Sequence, residues 1–190
     1  MAHSFFAYIS RMRYIGRWGL MRNSFQENIQ EHSHMVAVLA HALAVIRQER
    51  FGGTVDPGRV ALAALYHDAA EIFTGDLPTP VKYANPTIQD AYKAVEHDAI
   101  SGLLSKLPED LRPSYDSILN ETDPAVEELV KAADKLSAYV KCQEELKAGN
   151  TEFRAAAEQT LAALKSYHVP EVDCFLEEFL PPFLLTLDEL

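Results

Sequence analysis

The sequence predicts a single all-α domain of about seven helices. Three observations support this fold class: alanine and leucine dominate between the chain breaks, alternating apolar and polar runs with hairpin signals are absent, and proline and glycine stand where helical patterns begin and end. A length of 190 residues favours one domain, because domains commonly hold roughly 100–200 residues. No composition shift marks a linker, so residues 1–190 are expected to form one unit.

Prolines and glycines set the predicted helix boundaries. Prolines stand near the starts of helical patterns, where a missing backbone N–H costs little, at Pro57, Pro108, Pro124 and Pro170. Glycines lie where such patterns stop, at 52–53, 75 and 149. The predicted helices cover 3–13, 29–49, 57–72, 86–106, 109–119, 123–148 and 151–167, with a further helical piece after Pro170. The stretch 16–28 is irregular, and the proline-rich stretch 75–80 is predicted to be non-helical.

Charge and hydropathy exclude several classes of function. The chain has 17 basic and 28 acidic residues and a formal net charge of −11, which argues against polynucleotide or anionic-membrane binding through a basic face. No apolar run approaches the ~20 residues of a membrane-spanning helix, and Arg11 and Arg13 interrupt the apolar N-terminus. We therefore expect a soluble cytoplasmic protein. Cys142 and Cys174 lack CxxC spacing and are expected to be reduced and structural.

Four polar side chains fall on or beside the apolar faces of three predicted helices. His32 stands at the head of an apolar stripe, His67 and Asp68 continue another, and Asp134 lies within a third. A buried carboxylate without a partner costs several kcal/mol, and two converging carboxylates cost more. For one such residue, hydrogen bonding within the core or exposure to solvent is the simpler explanation. For all four together, a divalent cation is favoured, because imidazole and carboxylate suit a transition metal.

The motifs around these residues extend over nearly the whole chain. They are IGRW (15–18), ENIQEHS (27–33), YHDAAE (66–71), TGDLPTPVKY (74–83), KAAD (131–134) and LTLDE (185–189). An early histidine, an adjacent His-Asp pair and a distant aspartate resemble the signature of HD-domain metal phosphohydrolases. The complete set of motifs, in this order, more closely resembles the bacterial YfbR-type 5′-deoxynucleotidases. The resemblance implies an HD-domain helical bundle around a central metal site.

The resemblance also implies an activity and a metal site. The reaction is metal-dependent hydrolysis of 2′-deoxyribonucleoside 5′-monophosphates to deoxynucleoside and phosphate, with selectivity against ribonucleotides. His32, His67, Asp68 and Asp134 are implied to hold one divalent metal, with cobalt, manganese and copper as candidates. Glu71 completes the YHDAAE motif and is expected to be catalytic, either orienting or deprotonating the attacking water or protonating the departing 5′-oxygen. Taken alone, Glu71 would be interpreted as a residue on a solvated helix surface.

Two loops are expected to hold the rest of the substrate, beside the metal-site residues His32, Asp68 and Asp134. Arg17 offers a planar charged fork for phosphate oxygens, and Trp18 offers a flat face for the sugar or base. The resemblance implies that this pair also crowds the 2′ position. In the second loop, Asp76 can accept a hydrogen bond from the sugar 3′-hydroxyl, and Leu77, Pro78 and Thr79 are expected to line the site. The alternative is that each loop is a surface feature without a ligand.

Two alternative functions remain open. One is an HD phosphohydrolase for another nucleotide phosphoester, although a triphosphate would need more cations than Arg17, Arg22 and Lys82 supply, and the alarmone hydrolases carry a Glu-Asp pair where Glu71 precedes Ile72. The other is a non-catalytic metal-binding regulatory module, a class that commonly loses metal ligands or the catalytic acid. The expected partners are small-molecule deoxynucleoside monophosphates, with no nucleic acid polymer and no membrane. The resemblance implies a homodimer, and the apolar segment 175–185 fits either an interface or core.

Overall fold

The computed structural model describes residues 2–82 and 85–190, and within these ranges the side chain of Thr79 is not described. The α-helices are α1 (Phe5–Ile9), α2 (Ile29–Phe51), α3 (Pro57–Tyr66), α4 (Glu71–Thr74), α5 (Thr79–Lys82), α6 (Pro86–Leu104), α7 (Arg112–Leu119), α8 (Pro124–Lys147), α9 (Arg154–Ser166) and α10 (Pro170–Glu178). Short 3₁₀ helices cover Ser10–Tyr14, Thr151–Phe153, Pro181–Leu184 and Leu187–Glu189. Within the described ranges, β-structure is limited to one isolated antiparallel bridge between Gly16 and Asn28.

The predicted fold class is confirmed. Seven of the described helices have eight or more residues, whereas α1, α4 and α5 are about a single turn each. Side-chain caps explain several boundaries. The carboxylates of Asp56 and Asp123 accept hydrogen bonds from the backbone N–H groups of Gly58 and Ala125, one residue past the prolines that open α3 and α8.

Two predictions of local structure were wrong. The helix predicted over 57–72 ends at Tyr66. Before α4 begins, the backbone forms a turn with hydrogen bonds between residues three apart. Ala69 N–H donates to Tyr66 O and Glu71 N–H donates to Asp68 O, each at 3.0 Å. The stretch 75–80 is partly helical, because α5 begins at Thr79. Pro78 and Pro80 are tolerated there, since the first turn of a helix does not need their missing N–H groups.

Two hydrophobic cores meet at the residues of interest. The first core is built by α2, α3, α8, α9 and α10 and includes Val60 and Ala64 of α3. The second core joins Ala69 and Ala70 to Phe5 and to residues of α6. Because 60–64 belong to one core and 69–70 to the other, the intervening turn is fixed from both sides. No helix in the described parts of the chain is long and apolar enough to cross a membrane.

Candidate metal and substrate site

Four side chains from three parts of the fold converge at this turn. His32 comes from the first turns of α2, His67 and Asp68 from the turn between α3 and α4, and Asp134 from the middle of α8. His32 Nε2 lies 3.0 Å from Asp134 Oδ1 and 3.6 Å from Asp68 Oδ2, and His67 Nε2 lies 3.2 Å from Asp68 Oδ1. One ligand atom each from His32, His67 and Asp68 can be chosen so that all lie within 4.8 Å of one another. The structure thus brings three of the four predicted ligands into one group, and Asp134 adjoins it through its 3.0 Å contact with His32.

Hydrogen bonds to the backbone and to a hydroxyl orient both imidazoles. His67 Nδ1 lies 2.7 Å from the carbonyl oxygen of Ala64, which can only accept, so Nδ1 carries a proton and Nε2 is the ring atom that faces the other three side chains. His67 Nε2 is buried and has no hydrogen-bond partner among the described residues. His32 Nδ1 lies 3.3 Å from Ser137 Oγ, and the His32 side chain is fully buried. Imidazoles that ligate metals are typically held through their other ring nitrogen in this way.

The donor set fits a divalent cation. Burial alone would raise the pKa of Asp134, but the hydrogen bond with His32 and the charges of His32, Lys135 and His67 lower it, so this carboxylate stays ionised. Two carboxylates and two imidazoles are ligands that transition metals accept. A cation would also satisfy the otherwise unpartnered His67 Nε2 and separate the charges of Asp68 and Asp134.

Glu71 is a buried residue of the site, not a residue of a solvated helix surface. It is 2% exposed at the start of α4. Lys82 Nζ of α5 donates to its Oε1 at 2.6 Å, whereas its Oε2 is buried without a hydrogen-bond partner in the described structure. Burial and the charges of Asp68 and Asp76 raise the pKa of Glu71, and Lys82 opposes that rise. Lys82 therefore occupies only one of the two carboxylate oxygens of Glu71.

Arg17 and the 75–80 segment form another side of the site. Arg17 Nη1 lies 3.5 Å from Asp68 Oδ2. Burial by itself would lower the pKa of Arg17, but four nearby carboxylates raise it by more, so the guanidinium stays charged. They are those of Asp68, Asp134, Glu27 and Asp76. Burial raises the pKa of Asp76, and the charges of Arg17 and Lys82 oppose that rise, so the two predicted substrate loops lie close enough to influence each other.

Three further predicted substrate contacts are less informative. Leu77 and Pro78 are partly buried in the segment between α4 and α5, without polar contacts to the four converging residues. The Thr79 backbone opens α5, but its predicted polar contact lies outside the described side chains. These roles therefore stay predictions.

The charge balance around the site favours a bound cation. Within the described residues, carboxylates gather around Arg17 and Lys82 in excess, and a phosphate dianion would meet net repulsion there. A divalent cation at the converging ligands reverses this balance. The other five histidines are exposed and lie outside the converging group: His3, His34, His41, His97 and His168.

Comparison with known proteins decides the family. A family model described as "5′-deoxynucleotidase YfbR-like" matches residues 4–183. The chain belongs to this family. A 5′-deoxynucleotidase of Vibrio cholerae is 50% identical over 188 residues, covering 98% of this chain and 97% of that protein. The 5′-deoxynucleotidase YfbR of Escherichia coli is also 50% identical, over 98% of this chain and 94% of that protein.

Solved structures place this YfbR-like chain in the HD-domain fold. An HD-domain phosphohydrolase from Listeria innocua is 26% identical, with a TM-score of 0.83 over 97% of this chain and 90% of that one. The cyanophage S-2L HD phosphohydrolase DatZ, solved with dA and one catalytic Zn²⁺, is 20% identical, with a TM-score of 0.69 over 92% of this chain and 95% of that one. At 20% identity, the similarity to DatZ supports the fold only.

Two residues at the site of this YfbR-like protein were not assigned roles from the sequence. The sequence assigns no role to Lys82, yet its Nζ donates to Glu71 Oε1. Glu27 lies within the ENIQEHS motif, and its Oε2 accepts hydrogen bonds from Arg17 Nε and Trp18 Nε1. The motif marks the position of Glu27, but its pairing depends on how the 16–28 loop closes, which periodicity does not predict.

A buried ion pair anchors the far end of that loop to α8. Glu145, which is fully buried, accepts hydrogen bonds from Lys141, from Asn150 and from the hydroxyl and backbone N–H of Ser24. Lys141 Nζ also donates to Phe25 O at 2.8 Å. Burial by itself would raise the pKa of Glu145, but these hydrogen bonds lower it to about 2.

This ion pair predicts a specific acid sensitivity. Because the folded pKa of Glu145 is below the unfolded value of about 4.3, its stabilising contribution is complete above that value and is lost as the pH falls toward about 2. Glu145→Gln is expected to lower Tm near pH 7 and to flatten the fall of Tm between pH 4.5 and 2.5. Circular dichroism of chelated protein measures both. Glu144→Gln is the matched control and is not expected to flatten the fall, since burial raises the pKa of Glu144.

Proposed function

We propose that this chain is a metal-dependent 5′-deoxynucleotidase, which hydrolyses 2′-deoxyribonucleoside 5′-monophosphates to deoxynucleoside and phosphate. The observation that carries the proposal is the convergence of His32, His67, Asp68 and Asp134 beside buried Glu71 and charged Arg17. The retention of Glu71 in a buried position favours an enzyme over a regulatory module. Membership of the YfbR-like family supports the substrate class.

The four converging side chains would hold the metal. A bound divalent cation supplies positive charge that polarises the phosphoryl group and lowers the pKa of a coordinated water. Arg17 presents Nη1 toward the same space and is positioned to bind a phosphate oxygen. The hydrogen bonds from His67 to Ala64 O and between His32 and Ser137 keep the imidazoles in orientation during turnover.

Glu71 is the residue to which we assign the proton transfer. Lys82 holds Oε1, so Oε2 is the atom that takes a proton from the attacking water or passes one to the departing 5′-oxygen. Asp76 accepts from the sugar 3′-hydroxyl. Trp18, together with Arg17, leaves too little room for a 2′-hydroxyl and so disfavours ribonucleotides.

The experiment that tests the proposal is phosphate release from dAMP and from AMP. Chelated protein is resupplied with cobalt, manganese, copper, zinc, magnesium or no metal. Metal-dependent release from dAMP, with at least about tenfold less from AMP, is the expected result; that ratio corresponds to about 1.4 kcal/mol of discrimination. Equal release from both would remove the sugar selection from the proposal. No release with any metal would contradict the proposed substrate and favour another phosphoester.

The identity of the metal and the oligomeric state are proposed from the family resemblance. Cobalt, manganese and copper are the candidates that the family resemblance implies, and the ligand set accepts them. A homodimer is proposed on the same resemblance, whereas a cytoplasmic location is proposed on the sequence expectation alone. The late apolar segment fits an interface in part, since Phe179 and Leu184 are exposed while Phe175 is buried in the core.

A further inference from the structure

Glu27 closes the loop that carries Arg17 and Trp18. The loop 16–28 begins and ends at the isolated bridge between Gly16 and Asn28. Arg17 N–H donates to Glu27 O at 2.9 Å, so the side chains of Arg17 and Glu27 face each other across the neck of the loop. This neck leads directly into α2, which carries His32.

One carboxylate oxygen of Glu27 holds both neighbours. Its Oε2 accepts from Arg17 Nε at 3.0 Å and from Trp18 Nε1 at 2.9 Å. The Arg17 and Glu27 side chains are only 11% and 13% exposed, so this is a largely desolvated, charge-assisted contact. The indole ring is supported from one side by Phe153, with ring centroids 5.2 Å apart.

Trp18 needs such a contact to keep its orientation. Its backbone φ is +59°, in the left-handed region that a bulky residue rarely adopts. The indole N–H bond to Glu27 and the ring contact with Phe153 together fix where the flat face of the indole points. Loss of the carboxylate leaves only the ring contact.

Arg17 needs the same carboxylate for a different reason. Its guanidinium is attracted by the carboxylates of the metal group, and Nη1 already lies 3.5 Å from Asp68 Oδ2. The Nε bond to Glu27 holds the guanidinium back from full pairing with Asp68. Arg17 therefore keeps donors free for a phosphate oxygen, and Asp68 keeps oxygens free for the metal.

We propose that Glu27 is the positioning residue for substrate selection, acting through Arg17 and Trp18 without touching substrate. The proposal rests on the proposed deoxynucleotidase function. It predicts that discrimination between deoxyribose and ribose depends on Glu27 more than on any other carboxylate that holds this loop. Glu152 is the appropriate comparison, since it accepts from the Arg22 backbone N–H at 3.1 Å and so holds the same loop through Arg22 and not through a hydrogen bond to Arg17 or Trp18.

The test uses full-length, metal-loaded Glu27→Ala and Glu27→Gln, with Glu152→Gln as the matched control. The ratio of kcat/KM for dAMP to that for AMP is expected to fall at least tenfold in Glu27→Ala, with a raised KM for dAMP and bound metal unchanged. Trp18 is the sole tryptophan, so intrinsic emission reports on it directly. The emission is expected to shift to the red in Glu27→Ala. Glu27→Gln keeps an amide oxygen for the indole and is expected to retain the wild-type emission, while its KM for dAMP rises.

Each outcome has a clear consequence. A dAMP/AMP ratio within twofold of wild type together with an unchanged emission spectrum in Glu27→Ala would overturn the proposal. An equal loss of the ratio in Glu152→Gln would also overturn it, because general ordering of the loop would then be responsible. If Glu27→Ala does not fold, Glu27→Gln decides, and a KM for dAMP within twofold of wild type in that variant would overturn the proposal. A wild-type protein inactive on dAMP would refute the proposed function, while the emission of the variants would still test the hold of Glu27 on Trp18.

Discussion

His67→Ala and Asp68→Ala are each expected to lose bound metal and turnover together. Both residues lie in the tightened turn between the two cores, and each contributes a ligand atom to the converging group. Removal of either leaves an incomplete donor set, and Asp68→Ala also frees Arg17 from its neighbour 3.5 Å away. Metal content after reloading should fall well below one equivalent per chain, and phosphate release from dAMP should fall to the background rate.

The chain supplies its own matched control. His97 and Asp98 form a second adjacent His-Asp pair on α6, and both are exposed. His97→Ala and Asp98→Ala are expected to keep one equivalent of metal and wild-type turnover. Full metal retention in His67→Ala or Asp68→Ala would disprove their assignment as ligands.

Glu71→Gln is expected to separate metal binding from chemistry. The amide preserves the size of the buried side chain and can still accept from Lys82 Nζ, so the fold and the bound metal should be retained. It cannot exchange a proton at the position of Oε2 as the carboxyl does. Loss of a general acid or base typically lowers rate by about 10²–10⁴-fold, and kcat for dAMP should fall in that range with little change in KM.

The matched control is Glu158, an exposed carboxylate on α9. Glu158→Gln should leave kcat unchanged. If Glu71→Gln turned over dAMP at close to the wild-type rate, Glu71 would not be the residue that moves the proton. Loss of metal in Glu71→Gln would instead indicate a structural role in the turn.

Helical periodicity predicts which residues converge, but not the local geometry that presents them. His32 and Asp134 lie in long helices, where spacing of three and four residues correctly identifies the inward face. His67 and Asp68 follow the end of α3, in a turn whose i→i+3 bonds depend on packing from both cores. Periodicity alone extends that helix to residue 72 and so misses the turn.

The burial of Glu71 and its contact with Lys82 depend on packing from distant segments. Ala69 and Ala70, just before Glu71, pack against Phe5 and residues of α6, which are far away in sequence. Lys82 reaches Glu71 because α5 forms within a proline-rich segment, where the composition favours a loop. The pair His97-Asp98 shows the opposite case: the dipeptide is the same as in the site, but only its position in the fold and the surrounding motif separate a candidate ligand from a surface residue.

The most direct measurement is phosphate release from dAMP as chelated wild-type protein is titrated with cobalt, followed together with bound metal. A single metal held by the four proposed ligands predicts turnover that is absent without metal, rises in proportion to bound cobalt and saturates at one equivalent per chain. Undiminished turnover in fully chelated protein, or saturation only at two equivalents, would contradict a single metal held by His32, His67, Asp68 and Asp134.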